Sequence, residues 1–386
     1  MTVYNYLKLE KTVMGVPLAQ AVGNEVDRRA AKRVLLVISG TLSRDTDIAE
    51  QIGQRLGDRY AGCYDNTVTH VPRESVIALC TAMRESNADL VLTVGGGTCL
   101  DSVKMALLCL AEKITSADQL EDFAIRVNEA GERETPHVSV PPFRQIAAPT
   151  TLSGAEFSDL SGCVDTNTQV KQLFSGAEIG PASVILDPAI TIHTPMDLWL
   201  STGVRALDHA VETLCSSAPM AIADAGAVHA VRLLGQSLKL NKAEPDNLDG
   251  RLDSQVAIPL ACAGLNRVPY GASHGIGHQL GAVAGVPHGY TSCILLPHVM
   301  AFNAKAAGTR LGLLSEALGN PSRPASDSVA ELVSELGMPT RLRDVGVTRE
   351  HFEAIAEGSL LNAWVRANPE PINQVDQVYQ ILEAAY

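Results

Sequence analysis

Short apolar runs alternate with amphipathic stretches through the first half of the chain. The run RVLLVI, which ends at Ile38, is followed by Ser39 and Gly40 and then by the helix-like stretch DIAEQIGQRLGD. A second helix-like stretch, SVIALCTAMRESNA, precedes the apolar run DLVLTV, which leads into Gly95, and RQIAAPTT repeats the change from apolar run to turn. Units of this type predict parallel strands joined by helices, so we expect an α/β domain here.

The pattern changes beyond Pro188. Apolar positions spaced by three and four residues, with Pro, Asn and Gly between the segments, predict helices over 195–217, 220–240, 252–267, 304–319 and 325–337. The polar segment 127–143 is expected to be a surface loop or hairpin. We therefore predict an α/β dinucleotide-binding domain over residues 1–187 and an all-helical catalytic domain over residues 188–386. A chain of 386 residues is long enough for two cores.

The composition narrows the range of partners. With 30 basic and 43 acidic residues the formal charge is −13, which disfavours nucleic acid and anionic membranes as partners. No stretch approaches the roughly 20 apolar residues that cross a membrane, and the first residues lack the apolar core of a secretory signal. The eight cysteines form no CxxC pair, so we expect buried thiols in a reducing compartment. The sequence thus predicts a cytoplasmic protein that acts on a small molecule.

The most informative local motif is DLVLTVGGGTCLDSVKMA. A buried strand runs directly into Gly95, Gly96, Gly97 and Thr98 and then into a helix. Backbone amides at a helix start can bind a pyrophosphate, and glycine lets the anion approach because it has no Cβ. A tight turn that needs glycine gives the same pattern, and the spacing differs from the GxGxxG fingerprint. The motif indicates a nucleotide-phosphate site outside the standard Rossmann group.

Four blocks resemble one family, in order along the chain. GGGTCLDSVK resembles the GGGS-x-x-D-x-x-K loop of iron-containing alcohol dehydrogenases, and APTTLSGAEFS resembles their PTT…SE block in the short form of maleylacetate reductases. VILDPAITIHTP and the histidine block GASHGIGHQLGAVAGVPHGYTSCILLPHVMAFN follow. The resemblance to this superfamily implies a dehydroquinate synthase-like α/β domain followed by an all-α domain. It also implies an NAD(P)-dependent oxidoreductase that acts on CH–OH or C=O groups.

The resemblance further implies the cofactor contacts. The residues that match the family's contacts to the nicotinamide nucleotide are Gly95, Gly96, Gly97, Thr98, Asp101, Thr150, Thr151, Ser158 and Lys171. Ser39 stands where many members end the first strand with an aspartate that would repel a 2′-phosphate. NADP(H) is therefore permitted, and NAD(H) stays open.

Histidines supply the candidate catalytic groups. His274 and His278 are four residues apart in a helical stretch, so both rings lie on one face. In metal-binding members of the family an aspartate and three histidines hold a divalent ion. The matching histidines are His209, His274 and His288, and the position of the aspartate is occupied by Arg205. A guanidinium there removes an anionic ligand and repels a cation by about 4 kcal/mol per unit charge at ~4 Å and an effective dielectric of ~20.

Two interpretations of Arg205 stay open. In the first, it binds a substrate carboxylate while His209, His274 and His288 polarise the carbonyl, which resembles metal-independent maleylacetate reductases. In the second, it turns away and the three histidines hold iron or zinc with an open fourth position. Asp208 is not expected as a ligand, because on a helix it projects about 100° away from His209.

The resemblance places His278 beside the nicotinamide, which makes it the expected proton relay. The favoured function is NAD(P)H-dependent reduction of a small, acidic carbonyl compound. The alternatives are an iron- or zinc-dependent dehydrogenase of an uncharged alcohol or aldehyde, a lyase similar to dehydroquinate synthase, and a non-catalytic binding protein. The strand-like segment TVYNYLKLEKTV can pair across a two-fold axis, so a homodimer is expected.

Overall fold

The computed structural model describes residues 3–128, 133–168 and 170–386. Contacts between residues divide the chain into two compact units. The first unit is Tyr6–Thr194, and the second is Pro195–Tyr386 together with residues 3–5. By these contacts the segment 188–194 belongs to the first unit.

The described part of the first unit contains ten strands and five helices. The strands are β1 (Lys11–Met14), β2 (Val34–Ile38), β3 (Tyr60–Tyr64), β4 (Leu90–Gly95), β5 (Arg126–Val127), β6 (Arg133–Glu134), β7 (Gln145–Pro149), β8 (Leu160–Asp165), β9 (Val170–Ser175) and β10 (Ser183–Leu186). The helices are α1 (Leu18–Arg28), α2 (Gly40–Asp45), α3 (Ile48–Leu56), α4 (Arg73–Glu85) and α5 (Gly97–Ala111).

Six strands form a parallel sheet in the order β1-β10-β7-β4-β2-β3. The strands β2, β4, β7 and β10 are buried along their whole length. Residues of α4 and α5 pack in the core on one face, and residues of α1 and α3 pack in the core on the other. Strands covered on both faces need the nearly continuous apolar sequence that β2 and β4 have. The predicted α/β fold with a parallel sheet is confirmed.

Two antiparallel hairpins stand outside this sheet. β5 pairs with β6 where a loop or hairpin was predicted over 127–143, although β5 begins one residue earlier and residues 129–132 lie outside the described residues. β8 pairs with β9 over six residues on each strand. The sequence gives little sign of this second hairpin, because Ser161, Gly162 and Asp165 interrupt the apolar alternation of β8.

Seven of the eight cysteines are buried, as predicted, and all eight are free thiols. The prediction of a buried thiol was wrong for Cys63, which is exposed because β3 is an edge strand of the sheet. Desolvation by its surroundings and the nearby Asp65 carboxylate still raise the pKa of the Cys63 thiol. Its environment therefore does not favour the reactive thiolate.

The described elements of the second unit include ten helices. They are α6 (Met196–Leu214), α7 (Ala221–Ala243), α8 (Leu248–Ala261), α9 (Ala272–Ala284), α10 (His288–Phe302), α11 (Ala304–Ala317), α12 (Ala325–Glu335), α13 (Phe352–Leu360), α14 (Ala363–Arg366) and α15 (Val375–Ala384). The five segments predicted from apolar spacing correspond to α6, α7, α8, α11 and α12. In the part of the chain that the structure describes, no helix combines the length and apolar character needed to cross a membrane.

The helix α6 is buried on nearly all sides. Its neighbours include α7, α8 and α10, and almost every residue from Trp199 to Leu214 is buried. A helix surrounded in this way is normally apolar, yet α6 carries Arg205, Asp208 and His209. Buried polar groups are costly unless they are paired, so these side chains need partners on neighbouring helices.

Candidate active site

The carboxyl ends of three neighbouring strands bring several of the predicted nucleotide residues together. The Ser39 N–H donates to the carbonyl of Val94 over 3.0 Å, and the Thr150 N–H donates to the carbonyl of Gly95 over 3.1 Å. The ends of β2, β4 and β7 therefore form one rim. Ligands of open parallel sheets bind at this end of the strands.

The glycines that follow β4 are in contact with the turn after β7. A Cβ atom on Gly96 would lie 3.0 Å from Thr151 Cγ2, and a Cβ atom on Gly97 would lie 3.1 Å from Ser153 Oγ. The helix α5 begins at Gly97 and is 15 residues long. The close packing explains why glycine is needed, and the amides of Gly97 and Thr98 stand at a helix N-terminus, where a pyrophosphate is favoured. The residues present therefore fit a nucleotide phosphate.

The first turns of α5 are anchored to β8. The Lys104 ammonium, which is fully buried, donates to the Asp101 carboxylate over 3.2 Å and to the carbonyl of Leu160 over 2.8 Å. The Ser161 hydroxyl donates to the carbonyl of Asp101 over 3.2 Å. These contacts give Asp101 a structural partner in addition to the cofactor contact that the resemblance implies.

Two other predicted cofactor residues lie with the β8–β9 hairpin. The Ser158 hydroxyl accepts from the Leu160 N–H over 2.9 Å and so shapes the entry to β8. Lys171 lies on β9 opposite Val164, and its side chain covers Gly162, where a Cβ atom would be 3.1 Å from Nζ. The contact of these two residues with a cofactor stays a prediction.

The turn before β8 contains a buried carboxyl group that the sequence did not single out. Neither carboxylate oxygen of Glu156 has a hydrogen-bond partner among the residues that the structure describes. Burial raises the pKa of Glu156 to about 7, although its own backbone amide and Lys104 favour the charged form. The folded protein therefore holds a proton on this group near neutral pH.

In the second unit, polar side chains of α6 meet the start of α9. Arg205, Asp208, His209 and Glu212 are spaced by one, three and four residues, which allows them to contribute to one site. The Arg205 side chain is 11% exposed and that of Asp208 is fully buried. His209 and Glu212 are also buried.

The Glu212 carboxylate closes the N-terminus of α9. It accepts from the backbone N–H groups of Gly271 over 3.1 Å, Ser273 over 2.8 Å and His274 over 3.4 Å. The imidazole of His274 also contacts it, with Nδ1 at 2.8 Å. Because an ionised carboxylate can only accept, Nδ1 of His274 carries a proton. One carboxylate therefore fixes both the helix start and the ring of His274.

The other nitrogen of His274 faces His209. Nε2 of His274 lies 3.0 Å from Nδ1 of His209, so one proton is shared between the two rings. Burial and Arg205 lower the pKa of His274, but the carboxylates of Asp208 and Glu212 outweigh them and the pKa is raised. When His274 is cationic it donates to His209 Nδ1, and His209 then carries its own proton on Nε2.

Asp208 is the counter-ion of this cluster. Its Oδ2 accepts from Ser273 Oγ over 2.7 Å and from Ser292 Oγ over 2.6 Å, and lies 3.5 Å from His274 Nδ1. Burial favours the neutral acid, but His274 and Arg205 outweigh it and lower the pKa of Asp208. Asp208 was not expected to be a ligand, because on α6 it projects away from His209. The approach of α9 and α10 puts it in the site.

Arg205 is held through one end of its guanidinium. Nη1 donates to Ser292 Oγ over 3.0 Å and lies 3.8 Å from Asp208 Oδ2. This is its only hydrogen bond to the residues that the structure describes. Burial lowers the pKa of Arg205, opposed by Asp208 and Glu212, but an arginine side chain keeps its charge.

Aromatic rings complete the cluster. The Trp364 ring centroid lies 4.9 Å from that of His278 and 5.9 Å from that of His274. His278 and His288 are 6.1 Å apart by the same measure, and Tyr270 is 4.7 Å from His274. The four predicted histidines therefore lie in one aromatic cluster as two pairs, His209 with His274 and His278 with His288.

The three-histidine metal set implied by the resemblance is not reproduced in this arrangement. In the described part of the chain, the atoms of Asp208, Glu212 and His274 form the group of possible ligands within 4.8 Å of one another, and His209 and His288 are not in it. The nitrogens of His209 and His274 are 3.0 Å apart, but the three histidines are not gathered into one compact ligand group in the described part of the chain.

Several residues of the site were missed from the sequence. They are Glu212, Tyr270, Ser273, Ser292, Asn362 and Trp364. Glu212 carried a usable signal, because it lies three residues after His209 and four after Asp208 on a predicted helix. Tyr270 and Ser273 lie around the start of α9, and Ser292, Asn362 and Trp364 come from later parts of the chain; no periodic spacing marks these five residues.

A glycine-lined rim on a parallel sheet and a buried imidazole cluster with a fixed guanidinium are the parts of an oxidoreductase that acts on CH–OH or C=O groups. Comparison with known proteins gives the family. The profile described as "Iron-containing alcohol dehydrogenase" matches residues 10–188, and "Fe-containing alcohol dehydrogenase family, C-terminal" matches residues 199–386. The chain belongs to the iron-containing alcohol dehydrogenase family.

Individual relatives agree with this assignment. "Dehydrogenase FUM7" of Gibberella moniliformis is 31% identical, over 96% of this chain and 95% of its own. The maleylacetate reductase of Burkholderia cepacia is 27% identical, over 98% of this chain and 96% of its own. The crystal structure of maleylacetate reductase from Agrobacterium tumefaciens superposes with a TM-score of 0.84 at 25% identity, over 100% of this chain and 99% of that one. The predicted oxidoreductase class is thereby confirmed, in preference to the lyase alternative.

Glu156 makes the stability of the protein depend on pH. The folded-state pKa of about 7 lies above the ordinary value of 4.5. The stability that protonated Glu156 allows is therefore fully present below pH 4.5, and it is lost as the pH rises through about 7. We expect Glu156→Gln to gain about 2–3 kcal/mol in unfolding free energy, relative to the wild type, between about pH 5 and pH 8. Denaturant unfolding at both pH values measures this difference.

Glu85→Gln, at an exposed position of α4, is the matched control and should give the same difference from the wild type at both pH values. The cost of burying the amide of Glu156→Gln is the same at both pH values, so it cancels when the two differences from the wild type are compared. A pH-independent effect of Glu156→Gln would contradict the assignment.

Proposed function

We propose that this protein is a reductase that transfers hydride from NADH or NADPH to the carbonyl group of a small acidic substrate, in the manner of maleylacetate reductases. The observation that carries the proposal is the largely buried guanidinium of Arg205, 11% exposed, beside the His209–His274 pair. The relatives from Burkholderia cepacia and Agrobacterium tumefaciens are maleylacetate reductases, which supports the same substrate class.

Arg205 has the environment of a carboxylate receptor. Ser292 and Asp208 hold it at Nη1, and its other N–H groups have no hydrogen-bond partner among the described residues. A guanidinium presents its donors in a planar fork that matches a carboxylate. The side of the fork that Ser292 does not use therefore suits a carboxylate of the substrate.

The imidazoles provide the proton that the reaction needs. The reduced nicotinamide, when bound, supplies a hydride that adds to the carbonyl carbon, and the π electrons of the C=O bond move to oxygen. With His274 protonated, the Nε2 proton of His209 can pass to that oxygen, and the His209–His274 pair becomes neutral. We assign His278 a hydrogen bond to the same oxygen, and His288 the polar wall beside it.

The rim of the parallel sheet is the proposed cofactor site. The amides of Gly97 and Thr98 would hold the pyrophosphate, and the hydroxyls of Thr150 and Thr151 are suited to the oxygens beside it. Ser39 carries no charge that would repel a 2′-phosphate. Both NADH and NADPH therefore remain candidate cofactors, and the ratio of kcat/KM for the two decides between them.

A metal-dependent dehydrogenase of an uncharged alcohol or aldehyde is the second candidate. Asp208 Oδ1 is buried without a hydrogen-bond partner among the described residues, and Asp208, Glu212 and His274 offer ligand atoms within 4.8 Å of one another. The guanidinium of Arg205, 3.8 Å from Asp208 Oδ2, opposes a cation at this place. The metal-independent reductase is therefore favoured.

The first prediction from this proposal concerns Arg205. Arg205→Gln removes the charge and the fork but keeps a donor for Ser292. The kcat/KM for a carbonyl acid should fall about 10- to 100-fold, the effect of losing charge-assisted hydrogen bonds. The kcat/KM of Arg205→Lys, which keeps the charge without the fork, should fall less. Steady-state kinetics with maleylacetate and related oxo acids measures both variants.

Two controls separate substrate binding from a structural effect. With the corresponding uncharged aldehyde or ester as substrate, Arg205→Gln should lower kcat/KM less than about threefold, because that substrate makes no charge-assisted contact. Arg205→Gln/Asp208→Asn tests whether an uncompensated Asp208 carboxylate causes the loss. Equal losses on charged and uncharged substrates would count against the carboxylate receptor.

Metal content tests the second candidate. Protein purified without chelators should contain far less than one iron or zinc ion per chain, and EDTA treatment should leave reductase activity unchanged. Arg205→Asp restores the anionic residue of the family's metal set and should raise the bound metal while activity on acids falls. Loss of wild-type activity on chelation, with recovery on adding iron or zinc, would favour the metal-dependent dehydrogenase.

We also propose that the protein is a homodimer. The strand β1 is the outermost strand of the parallel sheet beside β10, and Met14 at its end is 48% exposed. Edge strands offer unpaired N–H and C=O groups to a second copy. Sedimentation velocity at micromolar concentration should give a single dimeric species, and a monomer across the concentration range would refute this assembly.

A further inference from the structure

Asn362 forms the start of the short helix α14. Its side-chain oxygen accepts from the backbone N–H of Trp364 over 2.9 Å, which is the contact of an N-cap residue. Its side-chain nitrogen lies 3.4 Å from Nδ1 of His278. The residue is partly buried, and it joins a helix start to one of the four histidines of the site.

The N-cap contact determines which way the amide of Asn362 faces. The Trp364 N–H can only donate, so Oδ1 must be the atom that contacts it. Nδ2 is then the atom that faces His278, and an amide nitrogen can only donate. Nδ1 of His278 is therefore the acceptor, and in the neutral ring the proton lies on Nε2.

The sequence of α9 allows this contact. A Cβ atom on Gly275 would collide with the side chain of Val365 and would lie 3.0 Å from the Val365 backbone nitrogen. Glycine at this position lets α14 pack directly against α9. His278 is one helical turn beyond Gly275, and this packing brings it beside Asn362.

Trp364 holds the ring of His278 from the side. The two ring centroids are 4.9 Å apart with an interplanar angle of 40°. Trp364 also lies 5.7 Å from Tyr270, so it is itself packed in the aromatic cluster. Contact with this ring limits rotation of the imidazole, and so helps the Asn362 amide to select one tautomer.

We propose that Asn362 is a positioning residue that fixes His278 as the Nε2–H tautomer. The inference rests on the proposed function in one respect, because the Nε2–H is assigned to the substrate oxygen. A neutral imidazole has only one ring proton, and while Nδ1 accepts from an amide it cannot take up another proton to replace one given to the substrate. His278 is therefore a fixed hydrogen-bond donor that stabilises the developing oxyanion, and the proton itself comes from the His209–His274 pair. This role replaces the proton relay that the resemblance implied for His278.

Two substitutions separate the donor to His278 from the N-cap. Asn362→Asp has nearly the same shape and keeps an acceptor for Trp364, but it presents an acceptor in place of the donor to Nδ1. Asn362→Ser also keeps the cap and removes the donor without adding a charge. Asn362→Ala removes both contacts and reports the effect of the cap through its thermal unfolding temperature.

The direct readout is the tautomer of His278. Two-bond 15N–1H correlation spectra of protein labelled only at histidine distinguish Nε2–H from Nδ1–H, and the spectrum of His278→Gln assigns the signal. We expect Nε2–H in the wild type and a protonated Nδ1 in Asn362→Asp. A His278 Nδ1 that stays unprotonated in Asn362→Asp would overturn the proposal, whatever the substrate.

Kinetics supply the second readout. With a carbonyl acid as substrate, Asn362→Asp should lower kcat about 10- to 100-fold, the scale of a lost oxyanion donor, with KM nearly unchanged. Asn362→Ser should show a smaller loss in kcat at an unfolding temperature close to the wild type. A KM effect without a kcat effect would contradict the positioning role. If the wild type reduces no carbonyl acid while the tautomer switches as expected, the proposed function fails and the positioning of His278 stands.

Discussion

The carboxylate of Glu212 is the contact on which the helical unit's site depends. It reaches from the buried helix α6 to the start of α9, where it accepts three backbone N–H groups and one imidazole N–H. An unsatisfied helix start and an unpaired carboxylate would each be expensive in a protein interior. Because both needs are met by one contact, the rotation of α9 about its axis is fixed. That rotation decides where His274 and, one turn later, His278 point.

The second constraint is charge. Arg205 and Asp208 have opposite charges and lie one helical turn apart on α6, with the carboxylate bridged to α9 and α10 by the hydroxyls of Ser273 and Ser292. Both hydroxyls donate to Asp208, and the Ser292 hydroxyl also accepts from Arg205. The two charges are therefore linked through hydrogen bonds rather than by one short ion pair. Breaking either half would leave a buried charge without compensation, which is more costly than losing the pair as a whole.

Sequence patterns predicted most of the framework and about half of the site. The parallel strands are recognisable because they are buried on both faces and are therefore apolar throughout, and the glycines after β4 are recognisable because a Cβ there would meet Thr151 or Ser153. The β8–β9 hairpin was missed because its strands contain glycine and polar residues. Ser292, Asn362 and Trp364 were missed for a different reason: each acts on a residue more than 80 positions away, and such contacts leave no local periodicity. The resemblance located the four histidines, but only the long-range contacts of His209, His274 and His278 indicate which of their ring nitrogens carries a proton.

In our proposal, the same contacts explain why this site prefers a substrate carboxylate as its ligand. With His274 protonated, the positive charges of Arg205 and His274 balance the negative charges of Asp208 and Glu212, so the buried cluster is neutral before anything binds. A divalent cation would add two uncompensated charges to it, whereas an anion beside Arg205 adds one charge at the edge, where the arginine is still partly exposed. Hydride addition then creates a second negative charge, on the carbonyl oxygen, and the Nε2 proton of His209 cancels it while the proton between the two rings moves to His209. In this proposal, an arginine at the position that the resemblance assigns to a metal ligand does more than remove that ligand, because together with Asp208 it makes the whole cluster favour anions over cations.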